Sequence, residues 1–345
     1  MIPQDDKSGT EQNLQRLAAH VADRLYTSYG QGKAMGQSAP DKKSPHFFVM
    51  RHFGQEIDLL IIFNTRRCRY SCAFCMLPNK STRDLVSDLN IVEQFTGTLE
   101  AVRHAVGVIE RVTLSNEGSV LDEFTFGSVA LDAICAGVSR LKRVRRVEIE
   151  TRMEFVTANR LRQLGEIVGR QVGILTGFET IDSRIRDMVL GKREDLATFL
   201  QGMDAIAKSG QRNMTAYVLF KPDWTMSDAG ARDEAMASID FLIEQSRQRC
   251  IDLTVRLNPM YVAPGTRWAK LAGSSFVPPR LTDVLDIGQA TRARGINVYI
   301  GLSTEGVPDI AGTFRSREDF SRHTLISAVE FNRQGSSKHL SSPRV

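Results

Sequence analysis

From residue 57 onward the chain alternates between two textures. Short runs rich in large apolar and β-branched residues occur at Ile57–Asn64, Arg111–Ser115, Arg146–Glu150, Val172–Phe178, Met214–Phe220, Leu253–Leu257 and Ile296–Ile300. Between them lie longer stretches whose apolar positions recur every three or four residues, namely Val92–Ala105, Ser128–Leu141, Ala158–Val168, Asp195–Ser209, Asp233–Arg247 and Leu281–Arg294. The first texture predicts strands and the second helices. The strand sequences are apolar rather than alternating, as befits strands covered on both faces, so the expected sheet is parallel and clothed in helices. Six or seven such units within roughly 250 residues predict an α/β fold of full or partial (β/α) barrel type. A doubly wound open sheet fits the same pattern, because periodicity does not reveal strand order. Either fold places ligands at the carboxyl ends of the strands.

The flanking segments differ. Residues 12–29 put Leu14, Leu17, Ala18, Val21 and Leu25 on one helical face, predicting a short N-terminal helical extension. The Gly, Ser, Pro and Lys of residues 30–45 predict a flexible connector. The expected organisation is therefore helix and connector over 1–45, a core barrel with a C-terminal extension over 46–333, and a frayed polar tail over 334–345.

Composition narrows the class. With 42% hydrophobic and 25% charged residues the chain reads as globular. Its 45 basic residues are offset by 40 acidic ones and spread along the chain, so the charge of +5 predicts a mixed solvated surface rather than a nucleic-acid face. The longest run of large apolar residues, Leu59–Phe63, falls well short of the roughly 18 residues of a membrane span. The N-terminus lacks the charged-then-apolar order of a signal peptide. Five cysteines are an odd count, and three lie within eight residues, which suits metal ligation in a reducing cytoplasm better than a disulfide framework.

Those three follow the first strand directly: EIDLLIIFN runs into TRRCRYSCAFCMLP, a Cys-x3-Cys-x2-Cys spacing on a loop where a barrel builds its site. Thiolates are soft ligands for iron–sulfur clusters and for zinc. No Cys or His follows within twenty residues, and His52 stands sixteen residues upstream with a strand between. A coordination position left open marks a metal that does chemistry. A three-cysteine zinc site completed by a remote histidine is the alternative.

The segment Cys68-Arg-Tyr-Ser-Cys72-Ala-Phe-Cys75, with aromatic Phe74 before the third cysteine, resembles the cluster motif of the radical S-adenosylmethionine (SAM) superfamily. The resemblance implies a partial (β/α)6-type barrel, a [4Fe–4S] cluster on Cys68, Cys72 and Cys75, and SAM chelating the fourth iron. It further implies reductive cleavage of SAM to a 5′-deoxyadenosyl radical that abstracts hydrogen from substrate. A reducing electron donor such as flavodoxin or ferredoxin is implied as well. Ser115-Asn116-Glu117-Gly118 resembles the superfamily's Gly-Gly-Glu element, which receives the methionine amino group, although both glycines are replaced. By position, Glu150 is expected to meet the ribose hydroxyls and Arg152 the SAM carboxylate. Gly177 and Glu179 resemble a Gly-rich strand end that holds adenine or methionine, with Gly177 expected to let backbone approach a ligand. Arg186 is a further polar candidate, and 258–266 (NPMYVAPGT) reads as a shaped loop.

Cys135, in an apolar helix, is expected to be a buried thiol, and neither it nor Cys250 suffices for an ordinary second cluster. Over about residues 50–300 the series NEGSVLD, ETRMEFVT, GFETIDSRIRD and LNPMYVAPGT resembles the branch holding the elongator catalytic subunit, the methylthiotransferases and the archaeosine-forming enzymes. No acetyltransferase, RNA-binding or N-terminal cluster domain of those relatives is visible. The expected substrate is therefore a small polar metabolite, a nucleoside or sugar of a specialised biosynthetic pathway. A tRNA base and a non-catalytic zinc-binding scaffold remain the alternatives.

Overall fold

The computed structural model describes residues 29–32, 42–75, 77, 81–263, 265–301 and 322–334. All but the last residue of the expected helix over 12–29, and the tail beyond 334, lie outside the described residues. Strands are β1 (Tyr29–Gly32), β2 (Phe47–Phe53), β3 (Glu56–Phe63), β4 (Arg111–Asn116), β5 (Arg146–Glu150), β6 (Gln171–Glu179), β7 (Asn213–Phe220), β8 (Asp252–Pro259) and β9 (Asn297–Ile300). Helices are α1 (Asp88–Ala101), α2 (Ser128–Ser139), α3 (Ala158–Val168), α4 (Leu196–Ser209), α5 (Asp228–Gln248), α6 (Arg267–Ala272), α7 (Leu281–Ala293) and α8 (Arg322–Gln334).

The strands form one sheet in sequential order, with β3 through β9 parallel and β1 and β2 antiparallel at the β3 edge. Sequential order removes the doubly wound alternative, whose order reverses partway across the sheet. The sheet is a partial barrel. Its two sides meet through side chains: Phe53 of β2 stacks on Tyr299 of β9 with centroids 4.4 Å apart. Helix α8 packs over this seam, where Asn332 accepts from Ile300 N (2.7 Å) and donates to Ile300 O (2.8 Å). Two elements depart from expectation. Tyr29, expected to end a helix, and residues 30–32, expected in the connector, pair with β2, and β2 itself turns back onto β3 through Gly54, at φ +62°.

Alternation along each strand sorts side chains between two environments. Leu59, Ile61, Val112, Leu114, Val147, Ile149, Ala216 and Val255 face the helices and form the main apolar core. The neighbouring positions face the barrel interior, where apolar residues such as Leu60 and Ile62 are joined by a group of buried charges. Asp58 receives Arg51 at 3.0 Å and Thr113 Oγ1 at 2.8 Å, Arg111 lies 3.8 Å from both Asp58 and Glu148, and Arg146 lies 3.9 Å from Glu148. This ion network lies at the amino-terminal end of the barrel, while residues at the carboxyl ends of the strands line an open cavity. Among the described residues no helix is long and apolar enough to cross a membrane.

Candidate active site

The loop after β3 is pinned at its start, middle and end. Gln94 of α1 accepts from Asn64 N and donates to Asn64 O, both at 2.8 Å. Arg67 N donates to Thr82 O at 2.8 Å. Ala73 N then donates to Leu190 O (2.6 Å), and Ala73 O accepts from Trp268 N (2.8 Å). Ala73 and Phe74 pack with Ile185, Leu190, Leu219, Met260 and Trp268, a second apolar cluster on top of the barrel. The loop is thus drawn across the mouth and clamped by segments following β6 and β8.

Beneath it lies a cavity of about 310 Å³, lined by residues from β3 through β8 and by Gly301, just after β9. Cys68, Cys72, Phe74 and Cys75 form part of its wall, together with Ser115, Glu117, Glu150, Arg152, Gly177 and Glu179. Asn116 does not line the cavity. Its amide donates to Thr65 Oγ1 (3.1 Å) and Thr125 Oγ1 (3.2 Å) and accepts from Gly118 N (3.1 Å), so it shapes the turn that presents Glu117. Glu117 is buried with one carboxylate oxygen 2.9 Å from His46 Nε2. Glu148 and Glu150 share the interior face, but Glu148 is sunk in the ion network and only Glu150 reaches the cavity. Arg152 donates to Lys192 O (2.9 Å) and Arg193 O (3.2 Å), meets Glu154 at 3.2 Å, and lies 3.9 Å over the Tyr70 ring.

Gly177 lines the cavity and also makes room for its neighbours. A Cβ there would fall 2.0 Å from Glu179 Oε1 and 2.7 Å from Lys192 Nζ, so the absent side chain leaves room for an ion pair. Lys192 is buried 3.4 Å from both Glu179 and Glu194, and its ammonium donates to Gly177 O. Burial opposes the charge on Lys192, but Glu194 and Glu179 outweigh it and hold its pKa above the ordinary lysine value. Burial raises Glu179, against the pull of Lys192. Glu179 also adopts φ +68° at the bulge ending β6, a strained backbone of the kind that clusters at functional sites. Arg186 is buried away from the cavity wall, with its guanidinium donating to Thr180 O (3.2 Å), so it caps the turn after β6.

Burial raises all three loop thiols above the ordinary cysteine range. Neutral thiols are therefore favoured until a cation displaces their protons. Among the described residues no three His, Cys, Asp or Glu side chains close tightly enough on one point for a single ion. The three sulfurs share one cavity wall, and three soft thiolate donors suit an iron–sulfur cluster. His52 pairs with Ile57 at the far end of β3, about 20 Å along the strand from its carboxyl end, so it is not placed to complete a zinc site. Cys135 is buried in α2, where burial pushes its pKa up to about 12, and Cys250 is exposed. Neither lines the cavity.

Among the wall residues that escaped the sequence reading are Lys192, Tyr217 and Arg256. Tyr217 and Arg256 carried a signal, since each interrupts an apolar strand at a position that alternation sends inward. Lys192, in the segment GKRED, carried none.

An open parallel barrel whose mouth is crossed by a three-thiol loop, above a cavity edged with carboxylates, defines an enzyme built around a soft-metal group. Residues 62–231 match the family model of the radical SAM superfamily. The chain's cofactors are a [4Fe–4S] cluster and SAM. The chain is 23% identical over 269 residues to an uncharacterized protein of Methanocaldococcus jannaschii, covering 75% of this chain and 71% of that one. It is 26% identical over 246 residues to archaeosine synthase subunit beta of Methanosarcina acetivorans, covering 68% and 67%. Among solved structures the fold resembles HydG, a maturase of the [FeFe]-hydrogenase. The TM-score there is 0.51 at 11% identity, over 86% of this chain and 58% of that one.

Proposed function

We propose that Cys68, Cys72 and Cys75 hold the cluster, that Glu117, Glu150, Arg152 and Glu179 position SAM, and that the enzyme acts on a small polar metabolite, a nucleoside or sugar. The observation that carries this reading is the convergence of three thiols from one loop and carboxylates from the ends of β4, β5 and β6 on one cavity. When bound, the cofactors supply one-electron cleavage of the SAM sulfonium and hence a radical that abstracts hydrogen from carbon. The protein's part is binding and exclusion of water. Carboxylates suit the ammonium and hydroxyl groups of SAM. Phe74, Leu77 and Met260 supply apolar wall against the mouth. Arg152, held by two backbone carbonyls and Glu154, keeps a positive charge beside the thiol loop, where it favours anionic sulfur ligands. An external electron donor completes the requirement.

The similarity to an archaeosine synthase subunit favours a second reading in which the reacting nucleoside is part of a tRNA. Anaerobic reconstitution tests the chemistry. The full chain is expected to bind iron and sulfide, turn brown, and with reductant convert SAM to 5′-deoxyadenosine. Cys68→Ala, Cys72→Ala and Cys75→Ala are each expected to abolish both. A colourless zinc protein would reject the reading, and RNA that co-purifies in a salt-dependent manner would favour the second substrate over the first.

A further inference from the structure

The cavity wall facing away from the cysteine loop has its own chemistry. It is built from β7, β8 and the residue after β9, and its described lining residues include Tyr217, Arg256, Asn258, Tyr261 and Gly301 but no carboxylate. Arg256 is 4% exposed, and its Nη1 donates to the Tyr217 hydroxyl at 3.3 Å. Its guanidinium carbon sits 5.0 Å from the Tyr217 ring and 5.5 Å from the Tyr299 ring. Tyr299 is itself stacked on Phe53 across the barrel seam, so the rings around the guanidinium are braced. One pleat nearer the mouth stands Asn258, whose Oδ1 would lie 2.0 Å from any Cβ at Gly301; the glycine makes its room.

We propose that this wall holds an anionic group of the substrate, a carboxylate or a phosphate, with Arg256 as its anchor. The proposal rests on the cavity being the substrate site and adds to it the substrate's charge. A guanidinium presents a planar fork of donors that matches the paired oxygens of either anion. Tyr217 accepts from Arg256, and the Asn258 amide adds donors to the same wall. Confinement between rings fixes the fork in advance, so little rotamer freedom is lost on binding. Poor solvation at the cavity floor strengthens the attraction beyond its value in water. An anion seated on Arg256 would direct the rest of the substrate up past Asn258 toward the thiol loop.

Titrating the full cluster-bearing chain with inorganic phosphate and, separately, with acetate tests the idea by calorimetry and needs no turnover. Saturable binding of at least one anion to the wild type is expected, weakened about 10- to 100-fold in Arg256→Gln and less in Arg256→Lys. Phosphate alone would point to a phosphorylated substrate, and acetate alone to a carboxylic acid. The proposal fails if neither anion saturates the wild-type protein, a result that holds whether or not Arg256→Gln folds. It fails equally if Arg256→Gln binds unchanged, or if Arg143→Gln, on an exposed side chain, weakens binding as much. Loss of SAM cleavage with anion binding intact would overturn the proposed reaction and leave this assignment standing.

Discussion

Lys192 and Gly177 are fifteen residues apart, yet each accounts for the other. The ammonium lies between Glu179 and Glu194 and over the bare Cα of Gly177, so removing it leaves two buried carboxylates facing each other. Breaking a buried pair from one side is strongly destabilising, because the uncompensated charge stays behind. Lys192→Met is therefore expected to lower stability by about 3–5 kcal/mol, read from denaturant midpoints. An unchanged midpoint would show that water already reaches the pair. At this scale the sequence was legible where covalent spacing suffices. Three cysteines within eight residues share one loop in any fold. The partnership of Glu179 with Lys192 was not legible, because it depends on the turn after β6 folding back over the strand end.

Helix starts are set by local chemistry that periodicity does not capture. Ser87, Thr157, Asp195, Ser227 and Thr266 each accept a backbone N–H in the first turn of a helix. Helices α1 and α5 accordingly begin at Asp88 and Asp228, ahead of the apolar periodicity that starts at Val92 and Asp233. At α4 the cap is titratable. The Thr198 N–H holds Asp195 below its ordinary value of 3.8, so ionised Asp195 stabilises the fold. That contribution is full above the unfolded value and disappears as pH falls through the depressed folded one. Asp195→Asn keeps a capping oxygen but cannot titrate. The wild type's advantage over the variant should therefore shrink as pH is lowered from about 5 to about 2. Parallel stability curves in denaturant over that range would contradict this. Strand β2 was missed because its apolar residues are interrupted by Arg51 and His52, and only the hairpin through Gly54 explains them.

The barrel is finished by side chains and a helix rather than by hydrogen bonds between its two ends. Phe53 on Tyr299 and Asn332 on Ile300 join parts of the chain far apart in sequence. Asn332→Ala would leave both backbone groups of Ile300 buried without these bonds, at a cost of about 2–5 kcal/mol. Unfolding measured by circular dichroism in denaturant should show it. A shift below about 0.5 kcal/mol would mean that α8 contributes little to the seam. The same closure steadies Tyr299 and Gly301, so the seam and the wall around Arg256 are mechanically one region.

Patterning alone was enough for the alternation of strand and helix, for a sheet covered by helices, and for the thiol loop after the first parallel strand. Each of these follows from the order of neighbouring residues along the chain. Sequential strand order, the ion network at the amino-terminal end of the barrel, and the meeting of Arg256, Lys192 and the cysteines around one cavity needed the folded chain. They arise when strands more than a hundred residues apart curl into a common interior, and hydrophobic periodicity carries no record of which interior faces will meet.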